Sequence, residues 1–223
     1  MKVGKLQKLS EELGIQFTRK WGTEGGLGRI SILGRGTYFE SLYKDLRLTY
    51  SEIISEDGEC LGSRISLHHS RPLSLGLHCK FNLSLLLSSP DYRDYRDLLA
   101  KRVNTPDTAL KCWAVEREKG EALFRDSNFT NRLTELLDCL KKNDSALVLN
   151  DQRIIVIVPD ETLITRDLLE MVYNLSTSIN KSGLVPLTAP PQRLSQKISN
   201  TIVISLIVTL IIVSLIIILR TVR

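Results

Sequence analysis

Three features that would assign a chemistry are missing from this 223-residue chain. It has no Gly-Lys-Ser/Thr triplet, no two cysteines in Cys-x-x-Cys spacing, and no acidic residue from Lys181 onward. The first absence removes the P-loop, whose lysine and hydroxyl must follow the glycines. The second removes zinc knuckles and thioredoxin-like redox sites. Gly-x-Ser-x-Gly, His-Glu-x-x-His and kinase signatures are also absent. Cysteine is sparse: Cys60, Cys79, Cys112 and Cys139. In a cytoplasmic setting they are expected as reduced thiols, with Cys112 and Cys139 as packing residues.

The third absence locates the charge. Five basic residues lie from Lys181 onward, so residues 1–180 carry 25 of each sign and the net +5 sits entirely in the C-terminal stretch. A nucleic-acid binder needs its excess on the folded part. A basic stretch beside a bilayer instead attracts anionic lipid.

What is present is a long apolar run. "TIVISLIVTLIIVSLIIIL", residues 201–219, has no charge, proline or glycine. As a helix it is roughly 28 Å long, against a hydrocarbon core of about 30 Å. Ile202, Leu206, Leu210, Val213 and Ile217 face lipid in this reading, and Arg220 reaches the head groups. Residues 220–223 form a short basic tail, and "SGLVPLTAPPQRLSQ" lies in a semi-stiff linker, 182–200. The first residues lack the apolar core of a signal peptide. The expectation is a tail-anchored, single-pass protein with its domain in the cytoplasm, at a bacterial inner membrane.

Residues 1–181 read as one α+β domain in two sub-parts: 1–105 strand-rich, and 106–181 in the order β-α-β-β-α. Leu6, Leu9 and Leu13 mark a first helix, and Gly14 its stop. "IQFTRKW", "RISIL", "YFESLY", "LRLTYSEII" and "SRISLHH" are short antiparallel strands. "CWAVER" is a further strand, and "GEALFR" a helical turn. Phe129, Leu133, Leu136, Leu137 and Leu140 form the apolar face of a helix. "ALVLNDQRIIVIV" is a hairpin with Asn150-Asp151 at its tip. Thr165 caps a last helix whose stripe is Leu168, Val172, Leu175 and Ile179. The fold class is antiparallel sheet with helices on one face, plus one C-terminal transmembrane helix.

This layout resembles a family of uncharacterised bacterial proteins often tied to membrane helices. The segments that carry the resemblance are "EELGIQF", "RPLSLGLHCKF" and "KCWAVEREKGEALF", within Leu9 to Ile179. The resemblance implies an arrangement of elements and no active residues.

"WGTEGGLGRISILGRG" holds six glycines in sixteen residues. A strand follows it where a dinucleotide fingerprint needs a helix, so it reads as a connection between strands. His69 and His78 could face each other across a hairpin near Leu73-Ser74, with Cys79 beside them. These three are the metal candidates, although His78 and Cys79 point to opposite faces of a strand. No catalytic residue and no cofactor is expected. Trp21, Arg35 and Tyr43 are the candidates for partner contact, since aromatics dominate binding hot spots. The leading expectation is an interaction module that docks onto a protein partner or larger complex at the bilayer, without nucleic acid. The rival is a membrane enzyme or ligand binder with its site among the glycine loop, Arg35, His69, His78 and Cys79.

Overall fold

The structure is a computed structural model, and it describes residues 3–22, 36–54, 60–73, 75–82 and 100–181. The linker, the apolar run with Ile202, Leu206, Leu210, Val213 and Ile217, Arg220 in the basic tail, Arg35, and "RISIL" all lie outside the described residues. Among the described residues no helix is long and apolar enough to cross a membrane.

Helix α1 spans Val3–Leu13. It stops where its sequence says it should. Gly14 takes φ +65°, its N–H donates to the Glu11 carbonyl, and the Ile15 N–H donates to the Ser10 carbonyl. That pair of bonds satisfies carbonyls the helix end would leave open. Leu9 and Ile15 bury together beside the turn.

Nine strands follow: β1 (Thr18–Gly22), β2 (Gly36–Tyr43), β3 (Leu46–Ile54), β4 (Cys60–His68), β5 (His78–Phe81), β6 (Lys101–Val103), β7 (Lys111–Ala114), β8 (Ala146–Asn150) and β9 (Arg153–Val158). Helices α2 (Arg117–Arg125) and α3 (Ser127–Lys142) separate β7 from β8, and α4 (Arg166–Lys181) ends the described chain. All nine strands form one antiparallel sheet in the order β1-β2-β3-β4-β9-β8-β5-β7-β6. The two sub-parts read from sequence therefore share a sheet. The late hairpin β8–β9 sits in its middle, between β4 and β5. This overturns the hairpin expected near Leu73-Ser74, because β4 and β5 are not neighbours.

Strand composition explains the placement. "RIIVIV" and "ALVLN" are apolar on both faces, which suits central strands covered on both sides. Ile154, Val156, Val158, Leu147 and Leu149 join the main core with α3 and α4. Ala146, Val148, Ile155 and Ile157 form a second cluster on the opposite face. The helices cap as their sequences ask. Asp126 accepts the Phe129 N–H at 3.0 Å, and Thr165 Oγ1 accepts the Leu168 N–H at 3.2 Å. Strand β6 had no signal in the sequence. Its three residues carry two charges and only one buried side chain, Val103.

The chain between β4 and β5 must cross the ends of two strands. It does so as a strap over the β8–β9 turn. The strap ends at Leu75, Gly76 and Leu77. Gly76 takes φ +63°, and a Cβ there would lie 2.5 Å from Val115 Cγ2. Gly14 shares that φ, but a Cβ there would meet nothing within 4 Å. A left-handed non-glycine residue costs about 1–2 kcal/mol. Gly14→Ala should lose about that amount. Gly76→Ala should lose at least twice as much, since overlap adds to strain. Chemical denaturation of the two variants measures both, and equal losses would refute the contact with Val115.

Candidate functional site

The strap is fixed by the hairpin tip. The Asp151 carboxylate accepts the Gly76 N–H at 2.7 Å and the Leu77 N–H at 3.0 Å, and its backbone carbonyl accepts the Leu73 N–H at 2.8 Å. Burial raises the Asp151 carboxyl above its ordinary range, against the pull of those N–H donors. Asn150 Oδ1 closes the turn by accepting the N–H groups of Gln152 and Arg153. His69, 8% exposed, is held between the tip and α4. A carbonyl can only accept, so His69 Nε2–H donates to Asn150 O at 3.1 Å. Its Nδ1 is then bare, and accepts the Ser176 hydroxyl at 3.0 Å. Burial pulls the His69 pKa down to about 4, with His68 adding a smaller push and the Asn150 bond opposing.

A hydroxyl on a neutral imidazole is the pairing that activates nucleophiles. Here Ser176 is fully buried, so the pair is a fastening between strap and helix. The metal candidates are not assembled. Both His69 nitrogens are committed. Cys79 is the cross-strand partner of Cys112 and the two form a disulfide, with Cα atoms 4.0 Å apart. This corrects the expectation of reduced thiols throughout: the register puts the two sulfurs on one face of adjacent strands. Cys60 and Cys139 are free thiols. His78 lies on the other face, opposite Trp113 and Asn150. Among the described residues no group of three His, Cys, Asp or Glu could hold a metal.

Of the contact candidates, Tyr43 turns inward. It is 6% exposed, its hydroxyl donates to Glu170 Oε1 at 2.7 Å, and burial first, then Glu170, push its pKa up to about 12. Lys44 Nζ donates to Glu170 Oε2 at 2.7 Å and lies 4.2 Å from the Tyr173 ring centre. The β2–β3 turn is thereby clipped to α4. Trp21 is the opposite case. It is 68% exposed, on β1, which ends the sheet among the described residues. Leu42 is 67% exposed, on the reverse face of β2.

The strand register also sorts charge, which the sequence concealed. Inward-facing Leu48, Ile65, Val156 and Cys79 define the helix-covered face. The reverse face carries Arg47, Arg64, Arg153, Lys80, Lys111 and Arg102. Its only carboxylate among the described strand residues is Glu40, paired with Arg47 at 2.7 Å. The centre of this face is closed: Arg64, Ser66, Val148 and Ile155 are all buried. It opens at the end of the sheet away from the strap. A cavity of about 440 Å3 lies there, lined by Lys80, Phe81, Asn82, Ala109, Lys111 and Lys141. Two ties hold its walls. Lys141 Nζ donates to Asp107 Oδ2 at 2.7 Å, and Asn82 Nδ2 donates to Asp144 Oδ1 at 3.0 Å. The Lys141 bond holds the Asp107 carboxyl below its ordinary range. None of these lysines was a candidate from sequence. Only the pairing of β5 with β7 and the end of α3 bring them together.

No family model matches the chain, and no curated protein matches it. Among solved structures, it is similar to the crystal structure of the mycobacterial trehalose monomycolate transport factor A, TtfA. The identity is 11% and the TM-score 0.46, over 83% of this chain and 96% of that one. The likeness assigns no residue here a role.

The buried imidazole sets a pH dependence. The folded protein keeps His69 neutral down to about pH 4. The unfolded chain takes up the proton near 6.5. Stability from this group is complete above pH 6.5 and is lost as pH falls toward 4, by about 3 kcal/mol. Asp151 acts in the opposite sense and is common to wild type and variant. The stability gap between wild type and His69→Gln should therefore narrow by about 3 kcal/mol between pH 7 and pH 4. Urea titrations at both pH values check this, and a constant gap would rule it out.

Proposed function

We propose that this chain is a membrane-tethered accessory module. The α+β domain docks onto a protein partner, or a larger membrane complex, at the cytoplasmic surface of a bilayer, where the Cys79–Cys112 disulfide persists through burial, both side chains being at most 1% exposed. Residues 201–219 are its anchor in this reading, and 182–200 the spacer.

Trp21 carries the reading. A tryptophan 68% exposed on the strand that ends the sheet among the described residues keeps a large apolar surface in water. Buried at an interface, such a side chain contributes several kcal/mol to binding. Among the described residues the outer edge of β1 itself offers ladder groups to an added strand. Its own sequence, "TRKWG", places Arg19 and Trp21 on one face and Lys20 on the other. A partner strand would meet an aromatic flanked by positive charge.

The test uses the full chain, expressed at native level and purified in mild detergent. The wild type should sediment with membranes and co-purify with a protein in fixed ratio. Trp21→Ser should lower that co-purification at least tenfold, while changing stability by no more than about 0.5 kcal/mol. Protease added to intact spheroplasts should leave residues 1–181 uncut. A wild-type protein that runs as a lone monomer would refute the docking role, and external cleavage would refute the orientation.

A further inference from the structure

We propose that the Cys79–Cys112 disulfide is a redox latch on one end of the sheet. Oxidised, it holds β6, β7 and α2 against β5. Reduced, it lets that unit part from β5 as a piece and bares β5 as a pairing edge. The latch lies at the opposite end of the sheet from Trp21, so it stands whether or not β1 docks a partner.

The strand order makes one seam carry this end. Among the described residues β6 pairs with β7 alone, and β7 joins the remainder of the sheet through β5. The seam between β5 and β7 is three residue pairs long, and the disulfide is the middle one. Helix α2 belongs to the outer side of the seam. Gly120 lies so close to β6 and β7 that a Cβ there would stand 3.0 Å from Ala114 Cβ and 3.2 Å from Val103 Cγ2. Residues 101–125 are thus packed on one another. Their ties to the rest sit at the margins of the seam. The Leu75 carbonyl accepts the N–H groups of Val115 and Glu116 at 3.1 Å, at the strap. Phe124 meets Phe129 of α3 edge-on, with 5.4 Å between ring centres. Lys141 reaches Asp107 at the surface.

Two properties set the bond apart from these ties. It joins residues 33 positions apart. Without it, every state in which the seam is open gains the freedom of that loop, and the opening equilibrium rises about 500-fold. The sulfurs are also sealed, at 0% and 1% exposure. A thiol in solution reaches them only while the seam is open. The bond therefore outlasts a reducing interval that is short against opening. Its reduction consumes two low-molecular-weight thiols of the glutathione class. The thiolate of the first attacks one sulfur, the S–S bond breaks, and the other sulfur leaves as a thiolate and takes a proton. The second thiol displaces the first, which releases their mutual disulfide and leaves two cysteine thiols. The reverse reaction with that disulfide resets the latch. Parted from β7, β5 presents the ladder groups of His78–Phe81 that β7 had held, beside the Cys79 thiol.

Full-length protein in mild detergent is followed by hydrogen exchange and mass spectrometry, oxidised and after full reduction. Denatured without reductant it should show two titratable thiols, those of Cys60 and Cys139. Native protein should lose its disulfide to reduced glutathione at least a hundredfold more slowly than protein in urea. On reduction, residues 101–114 should exchange about 500-fold faster. Their protection in the reduced protein should fall at least tenfold below that of β9. Cys79→Ala/Cys112→Ala should reproduce that pattern with no reductant present. If the double variant does not fold, the reduced wild type carries the test alone. Equal protection of residues 101–114 and β9 in the reduced protein overturns the latch, because the seam then opens only when the whole domain unfolds. Loss of β9 protection together with residues 101–114 is the same result. Four titratable thiols before reduction overturn it as well, as does native reduction as fast as in urea.

Discussion

The turn at Asn150-Asp151 is the constraint on which the rest of the sheet depends. Strands β4 and β5 are joined by a short connection, yet two other strands stand between them. The connection can span that gap only by lying across the ends of β8 and β9. There its backbone donors would be buried with nothing to bond. A single carboxylate takes two of them, and the carbonyls of residues 150–152 take the His69 ring and two more N–H groups. An orphaned buried N–H costs about 1–3 kcal/mol. Several satisfied at one corner decide whether the crossing is possible. The fit is reciprocal. The strap positions the hairpin, and the hairpin supplies inner neighbours to β4 and β5. Through Ser176 the same corner aligns α4 against the sheet.

The two faces of that sheet do different work. One takes the helices and the bulk of the apolar core. The other gathers cations around a smaller apolar centre. In a chain with balanced charge over its first 180 residues, the described strand residues of this face thus carry mostly cations. The balancing carboxylates stand on helices and turns, as at Glu121, Glu170 and Asp107. Net charge over a segment reports on its sum and is silent on its layout.

Local features were legible in the sequence. Gly14 as a helix stop, Thr165 as a cap, the Asn150-Asp151 turn and the apolar stripes of α3 and α4 all appear where propensity and periodicity put them. These rest on contacts between residues a few positions apart. What was not legible required strand order. The pairing of Lys80 with Lys111 and of Cys79 with Cys112 follows from β5 lying beside β7. That His69 and His78 do not face each other across a hairpin follows from β9 and β8 lying between β4 and β5. Tyr43 looked like any surface-capable aromatic until Glu170, far along the chain, was placed against it. Strand β6 was invisible because three residues, two of them charged, form no period.

The position of the late hairpin also bears on biosynthesis. About 65 residues separate the end of β5 from the start of β8. At translation rates of 5–20 residues per second that interval is about 3–13 s. Throughout it, β4 has no neighbour on its inner side, and β5 lacks both of its neighbours until β7 is made and one of them after that. Unpaired edges of this kind recruit other strands. The nascent chain therefore passes through a window in which half of its sheet is made and cannot close. The buried "RIIVIV" segment that ends the window is among its most aggregation-prone stretches. Its central place in the fold means that completing the domain and sequestering that segment are one event.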